Sequence, residues 1–451
     1  MPKVLIVGAG LVGSLLASFM ARRGFEVEVF EKRRDPRFYG MEEGRSINLA
    51  LSHRGLRALE RLGLQDAVYP LMIPMRGRMI HDTAGQTLLL PYSTKPDEYI
   101  NSISRLDLNV ALLNHAVAYP HVKIHFQAAC VGVAPEIPAI EVETDGQRRW
   151  VEGDLLFAAD GAGSVIRRIL KATGLLQEEV DFLDYGYKEL TLPAGKEGAF
   201  LIEKHALHIW PRETFMLIAL PNLDATFTCT LFLPKEGAAH SFEALNTPAK
   251  VQDFFDAYFP DASRMMPALT EEYFRNPVGI LGTVRCYPWA YRGKVLLIGD
   301  AAHAIVPFYG QGMNAAFEDC LRLEECFDVY GKDWQKVFEV YQTKRKKDTD
   351  AIADLATDNF YEMRDRVNDE DFQRMRKLEY LLEQRYPDYF SKYALVTFHP
   401  EVPYSLAKQR GELQNQILLD ICRRQPDIEK IDLETVYRKI KEAIETLPVS
   451  S

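Results

Sequence analysis

The sequence predicts an α/β chain: a Rossmann-like dinucleotide-binding domain, an interleaved antiparallel β-sheet domain and a C-terminal helical region. Three observations carry this. The apolar run Val4-Leu5-Ile6-Val7 ends in the glycine turn Gly8-Ala9-Gly10-Leu11-Val12-Gly13. A second apolar run, Val295-Leu296-Leu297-Ile298, ends in Gly299-Asp300. Between them, residues 185–233 alternate or enrich β-formers such as Thr226-Phe227-Thr228-Cys229-Thr230, and after Gly312 the pattern is helical.

The first turn follows a buried parallel strand. Gly8 permits the sharp turn, Gly10 lets the backbone approach phosphates, and Gly13 allows close helix–strand packing. The helix predicted from residue 11 to 23 offers free N–H groups and a positive dipole end to an anion. A second strand, Glu26-Val27-Glu28-Val29-Phe30, ends at Glu31. That carboxylate stands close to the spacing expected of a ribose-hydroxyl acceptor. Strand, glycine turn, helix, strand and terminal acid together form a specific signal. A glycine triplet alone does not.

Further along, a helix is expected near 52–62. Residues 76–92 switch to short strands around Asp82-Thr83-Ala84-Gly85. Residues 105–119 read as a helix and Lys123-Ile124-His125-Phe126 as a strand. Residues 138–151 read as a hairpin around Thr144-Asp145-Gly146-Gln147. Leu155-Leu156-Phe157-Ala158-Ala159 is a buried strand that runs into Asp160-Gly161-Ala162-Gly163-Ser164. Taken alone, that turn is equally a helix cap, with Ser164 or Asp160 accepting from free N–H groups. The return to Gly299-Asp300, followed by Pro307-Phe308-Tyr309-Gly310-Gln311-Gly312-Met313-Asn314, points to FAD as the dinucleotide and to redox chemistry.

Composition narrows the class. A chain of 451 residues has room for more than one domain, and 47% hydrophobic content is ordinary for a globular protein. The net charge of −10 disfavours nucleic acid, and no basic cluster with interleaved aromatics offsets it. The six cysteines have no CxxC spacing and read as free thiols of a reducing compartment. A strand beginning at residue 3 leaves no room for a signal peptide, and no apolar run approaches the ~18 residues of a membrane span. A cytoplasmic enzyme is expected.

The order of Gly8-Ala9-Gly10-Leu11-Val12-Gly13, Asp160-Gly161 and Gly299-Asp300 resembles flavin-dependent aromatic hydroxylases of the p-hydroxybenzoate hydroxylase type. The resemblance is nearest to the kynurenine 3-monooxygenase family. It is carried by Gly44-Arg45-Ser46-Ile47-Asn48-Leu49-Ala50-Leu51-Ser52-His53-Arg54-Gly55 and by Ile73-Pro74-Met75-Arg76-Gly77-Arg78-Met79-Ile80-His81. It continues through Ser102-Ile103-Ser104-Arg105, residues 307–314, Asn359-Phe360-Tyr361-Glu362-Met363-Arg364 and the region of Tyr404.

The resemblance implies particular roles. Gly8, Gly10, Val12 and Gly13 would line the FAD pyrophosphate, with Phe30, Glu31 and Arg33 toward its ribose end. Ala50, Arg105, Cys130, Asp160 and Val165 would lie along the cofactor. Asp300 would meet its ribityl or pyrophosphate region, and Met313 and Asn314 its isoalloxazine. Arg78, Tyr92, Asn359 and Tyr404 would hold the amino-acid group of L-kynurenine. Without the resemblance, Arg78 reads as one of two solvated arginines. NADPH would reduce the flavin from a transient site, since one dinucleotide fingerprint is present. A flavin hydroperoxide would then pass one oxygen to the ring, giving 3-hydroxykynurenine in tryptophan catabolism toward quinolinate and NAD. No protein acid or base is assigned.

The implied division is 1–75, 96–175 and 285–345 for FAD, 76–95 and 176–284 for substrate, and 346–451 as the C-terminal helical region. Two departures stand out. Mitochondrial members carry a C-terminal membrane segment that this sequence does not show, which points to a soluble bacterial form. Tyr309 stands where relatives place other aromatic or imidazole groups. His205 and His208, three apart, read as solvent or core histidines rather than a metal pair, and His303 as packing under the flavin. The readings left open are a hydroxylase of another aromatic acid and a non-catalytic FAD-containing binding protein.

Overall fold

The computed structural model describes residues 1–39, 48–365 and 369–447, without the side chains of 363–365. Residues 44–47 of the 44–55 stretch lie outside the described residues, as do the side chains of Met363 and Arg364. The chain forms two compact units, each built from three separate segments.

The first unit comprises Met1–Met72, Ser102–Leu183 and Ile280–Ala353. Its six-stranded sheet runs Ala290–Tyr291, Val295–Leu297, Leu155–Ala158, Lys3–Val7, Glu26–Phe30, Val122–His125. The last five are parallel. Val4, Leu5, Ile6, Leu155, Leu156, Phe157 and Val295 to Leu297 are fully buried. Parallel strands covered on both faces need such unbroken apolar runs. The helix Leu11–Arg22 buries Leu15, Leu16, Phe19 and Met20 and stops at Arg23, before Gly24 at φ +82°. Near the sheet, Ala129–Ala134, Ala139–Thr144 and Gln147–Glu152 form a meander. Its second turn uses Asp145 and Gly146, both at positive φ, as a tight hairpin demands.

The second unit comprises Ile73–Asn101, Asp184–Gly279 and the chain from Asp354 onward. Its sheet places Phe227–Pro234 beside the C-terminal half of Gln177–Leu192, then Phe215–Pro221, Ala206–Arg212, Gly77–His81 and Thr87–Pro91. The pairings are antiparallel except one: Ala206–Arg212 runs parallel to Gly77–His81. These two strands are far apart in sequence, so no hairpin dictates their direction. Trp210, Leu217, Phe227, Leu231, Phe255 and Phe259 form the core between sheet and helices. The C-terminal helices Glu370–Arg385, Tyr404–Arg424 and Leu433–Glu445 share a core around Leu378, Leu382, Leu418 and Ile440.

Candidate active site

In the first unit, the three glycine-bearing turns follow adjacent parallel strands. Register puts Val7 beside both Ala158 and Phe30, and Ala158 beside Leu297. The carboxyl ends of such strands are where open α/β sheets bind ligands. Gly8 has φ +101°, and a Cβ there would lie 2.4 Å from the Ala159 carbonyl oxygen. A Cβ on Gly13 would lie 1.8 Å from the Gly8 oxygen. Both glycines are therefore obligatory for the fold. Gly10 differs: a Cβ there meets nothing within 4 Å. Gly10 also caps the helix without a side chain, and the first turn holds no acid. An uncapped helix N-terminus with open space at Gly10 suits an anion.

Each remaining first-unit residue has a place. Glu31 is buried and braces the turn: Ala9 N–H donates to one oxygen and Arg33 N–H to the other, both at 2.9 Å. An ionised carboxylate accepts about four bonds, so Glu31 keeps capacity for ribose hydroxyls. Arg33 reaches it through its backbone, and the Arg33 side chain is exposed. Phe30 is buried and stacks on His125. Cys130 is buried, which pushes its thiol up to about 12. Its side chain is thus an inert filler. Asp160 accepts from Val165 N–H at 2.7 Å through one oxygen; its other oxygen is buried with no partner. Burial raises the Asp160 pKa. A buried, unpaired carboxylate oxygen is costly unless a ligand donor reaches it.

The returning segment meets the first turn. A Cβ on Gly299 would lie 3.0 Å from a methyl of Val12. Asp300, directly after it, is exposed. Arg105 opens the helix Arg105–Val117 and is half-buried, as is Met313. Asn314 is fully buried and its side chain is committed: it donates to Ala50 and Gly310 carbonyls and accepts from Ser52 N–H. What Asn314 can offer a cofactor is therefore backbone. The open Gly10 turn, the unpaired Asp160 oxygen and the helix N-terminus at Gly312 fit a bound FAD.

In the second unit, Arg78 and Tyr92 come together from the paired strands Gly77–His81 and Thr87–Pro91, Tyr92 directly following the second. The Arg78 guanidinium lies 5.3 Å from the Tyr92 ring centre and 4.5 Å from that of Tyr393. The two tyrosine rings stack at 5.4 Å and 12°. Phe398 joins the cluster, its ring centre 6.4 Å from that of Tyr92 in an edge-to-face arrangement. Among the described residues, no carboxylate lies within ion-pair distance of Arg78. The Tyr92 hydroxyl is buried beside Arg78 and Tyr393, and burial raises its pKa well above the ordinary tyrosine value. It stays protonated and can donate.

Asn359 is half-buried on the helix Trp334–Asp365, and Tyr404 is fully buried at the start of Tyr404–Arg424. Their helices are tied to each other by Lys408–Asp354 at 3.0 Å. The helix of Asn359 is tied to the helix of Tyr393 by Lys392–Glu362 at 3.1 Å. Tyr393 and Phe398 escaped the sequence reading: Lys392-Tyr393-Ala394-Leu395-Val396-Thr397-Phe398 looks like any short buried helix. Behind the Arg78 strand, His81 sits between Asp261 and His208, at 2.7 and 2.8 Å. His208 also bonds the Glu203 carbonyl, and burial lowers its pKa to about 4. His205 instead bonds the Pro74 carbonyl.

Comparison with known proteins agrees with this geometry. Residues 1–356 match the FAD binding domain family. The chain is 46% identical to the kynurenine 3-monooxygenase of Myxococcus xanthus, over 97% of this chain and 94% of that protein. It is 42% identical to the kynurenine 3-monooxygenase of Dictyostelium discoideum, over 97% of each. Among solved structures, P. aeruginosa PqsL in complex with 2-aminobenzoylacetate superposes with a TM-score of 0.66, at 22% identity, covering 81% of this chain and 97% of that one. That likeness concerns the fold. Among the described residues, no helix is long and apolar enough to cross a membrane.

Proposed function

We propose, from the premise that this chain belongs to the kynurenine 3-monooxygenases, an FAD-binding family, that it hydroxylates L-kynurenine to 3-hydroxykynurenine with NADPH and O2. Bound FAD supplies the electron and oxygen transfer, with NADPH as reductant. The residues proposed to hold FAD are those named above in the first unit. Gly10, Val12 and Gly13 present N–H groups to the pyrophosphate, Glu31 accepts from the ribose, and Asp160 and Asp300 take the hydroxyl-rich arm.

The observation that carries the substrate assignment is Arg78: a guanidinium walled by the Tyr92 and Tyr393 rings and lacking a carboxylate among the described residues. A planar guanidinium binds a substrate carboxylate through two parallel hydrogen bonds. Tyr92 O–H donates a further bond, and we add Tyr393 to the residues that form this end of the site. Asn359 and Tyr404 complete the polar lining. Fixing the amino-acid end restricts which ring carbon is offered to the cofactor. All six cysteines are free and buried, which fits a cytoplasmic setting.

The experiment is NADPH consumption by the FAD-loaded protein with and without L-kynurenine, with product mass determined. Strong stimulation with a gain of one oxygen supports the reading. Peroxide without oxygenated product assigns the site to another aromatic acid. Bound flavin without stimulation means a binding protein.

A further inference from the structure

Asp319 is a fully buried carboxylate on the helix Gly312–Tyr330, and none of the cofactor roles above includes it. One of its oxygens accepts from Gly299 N–H at 3.2 Å and from His303 Nε2 at 2.6 Å. These two residues bracket the one-turn helix Asp300–His303. Both ends of that turn are thus tied to a single oxygen atom, with the exposed Asp300 held between them. Gly299 accepts this geometry because it sits at φ +62°, a region that favours glycine.

The other oxygen of Asp319 accepts from Arg345 Nε at 2.7 Å. Arg345 in turn donates to the Ala315 carbonyl at 3.1 Å, in the first turns of the helix that carries Asp319. Burial pushes the Asp319 pKa up, but His303 and Arg345 together hold it below the usual carboxylate range. The Asp319 helix opens with Met313 and Asn314, and Asn314 is itself pinned to Ala50, Ser52 and Gly310. One carboxylate therefore joins the Gly299-Asp300 turn to the N-terminus of this helix. A charge without exposure is expensive and persists where it is paired and hydrogen-bonded, as here, with donors to both oxygens.

We propose that Asp319 is a positioning residue for FAD: it fixes Asp300 relative to the helix N-terminus at Met313 and Asn314, so that the ribityl arm and the isoalloxazine are met by one preassembled surface. The inference rests on the proposed contact of Asp300 with FAD. Its mechanism is preorganisation; Asp319 itself need not touch the cofactor.

The test is FAD titration of the full-length chain stripped of flavin, followed by flavin fluorescence, alongside the apoprotein melting temperature. Asp319→Asn keeps the size but loses the charge and one of the two acceptor oxygens. It is expected to raise the FAD Kd at least tenfold. His303→Ala removes one tether, leaves the carboxylate in place, and is expected to raise the Kd at least threefold; it serves if Asp319→Asn does not fold. Glu324→Gln is the control. Glu324 is a buried acid on the same helix whose partners, Arg22 and Arg61, are not part of the turn. It is expected to lower the melting temperature yet leave the FAD Kd within twofold. Equal weakening by Glu324→Gln and the Asp319 or His303 variant would make the role merely structural and overturn the inference. Asp300→Ala separates the premise: an unchanged Kd there overturns the Asp300 contact and the inference with it. A weakened Asp300→Ala beside unchanged Asp319→Asn and His303→Ala overturns the inference alone.

Discussion

Tyr393 stacks on Tyr92 with ring centres 5.4 Å apart and planes 12° from parallel, and the Arg78 guanidinium lies 4.5 Å from the Tyr393 centre. The stack does two things. It sets two aromatic rings beside one charge, and it limits where a carboxylate can approach. A guanidinium held over aromatic faces gains cation–π attraction, yet keeps its edge N–H groups for an anion.

Arg78→Ala is expected to raise the kynurenine KM by roughly 10- to 150-fold, the equivalent of losing about 1.5–3 kcal/mol of charge-assisted hydrogen bonding. FAD content should stay at wild-type level. Arg78→Lys should recover little, because an ammonium cannot make the planar double contact. Steady-state kinetics with flavin quantification decides it, and an unchanged KM removes Arg78 from the site.

Tyr393→Ala is expected to raise the KM about tenfold or more by opening the aromatic wall, while Tyr393→Phe keeps the stack and loses less. Tyr404→Phe keeps the ring of a fully buried residue and removes the proposed polar group, and is expected to raise the KM about threefold or more. An unchanged KM there would remove Tyr404 from the polar lining.

The two glycines Gly10 and Gly13 should separate cofactor binding from folding. Gly13→Ala places a Cβ 1.8 Å from a backbone oxygen, so a loss of about 3 kcal/mol or more in stability is expected. Gly10→Ala meets nothing within 4 Å in the protein itself. The apoprotein should lose no more than about 1 kcal/mol as a helix cap changes, while FAD affinity falls at least tenfold. Melting curves of apoprotein with and without FAD read both numbers.

The loop after Tyr92 carries a pH-dependent latch. His399 Nδ1 lies 2.7 Å from Glu401 and Nε2 lies 3.3 Å from Glu98; Lys95 pairs with Glu98 at 3.4 Å, and the Phe390 ring packs against His399. Burial lowers the His399 pKa, but Glu98 and Glu401 outweigh it and raise the pKa overall. Burial likewise opposes ionisation of Glu98, while His399, Ser93 and Lys95 bring it down to about 2. The raised His399 contributes stability fully present below its unfolded value of about 6.5, lost as pH rises through the folded value. The depressed Glu98 contributes stability present above about 4.3, lost as pH falls toward about 2. The latch should be complete near pH 5–6 and weaken toward pH 9. Limited proteolysis in the 93–98 loop should therefore rise with alkaline pH. His399→Gln should show fast cleavage at all pH values; a wild-type rate that ignores pH would end the idea.

What the sequence carried was whatever a few neighbouring residues decide. The buried strand Lys3–Val7 and its glycine turn were readable because a run of branched apolar residues followed by Gly8 leaves the backbone few choices. The hairpin at Asp145-Gly146 was readable for the same reason, since two consecutive positive φ angles select those residues. Fold class, FAD family and the Arg78–Tyr92 pair followed from such stretches and from their resemblance to known hydroxylases.

Tertiary structure decided the rest. Asp319, within Phe317-Glu318-Asp319-Cys320, looks like any acid on an amphipathic helix; its burial depends on Gly299, His303 and Arg345, up to 26 positions away. Tyr393 gains its role from strands some three hundred residues earlier. Local pattern fixes backbone conformation through short-range sterics, and a turn or a strand is the result. Which charge is buried, and which ring covers which guanidinium, depends on long-range packing that sums many weak contacts, and no local window of sequence contains that sum.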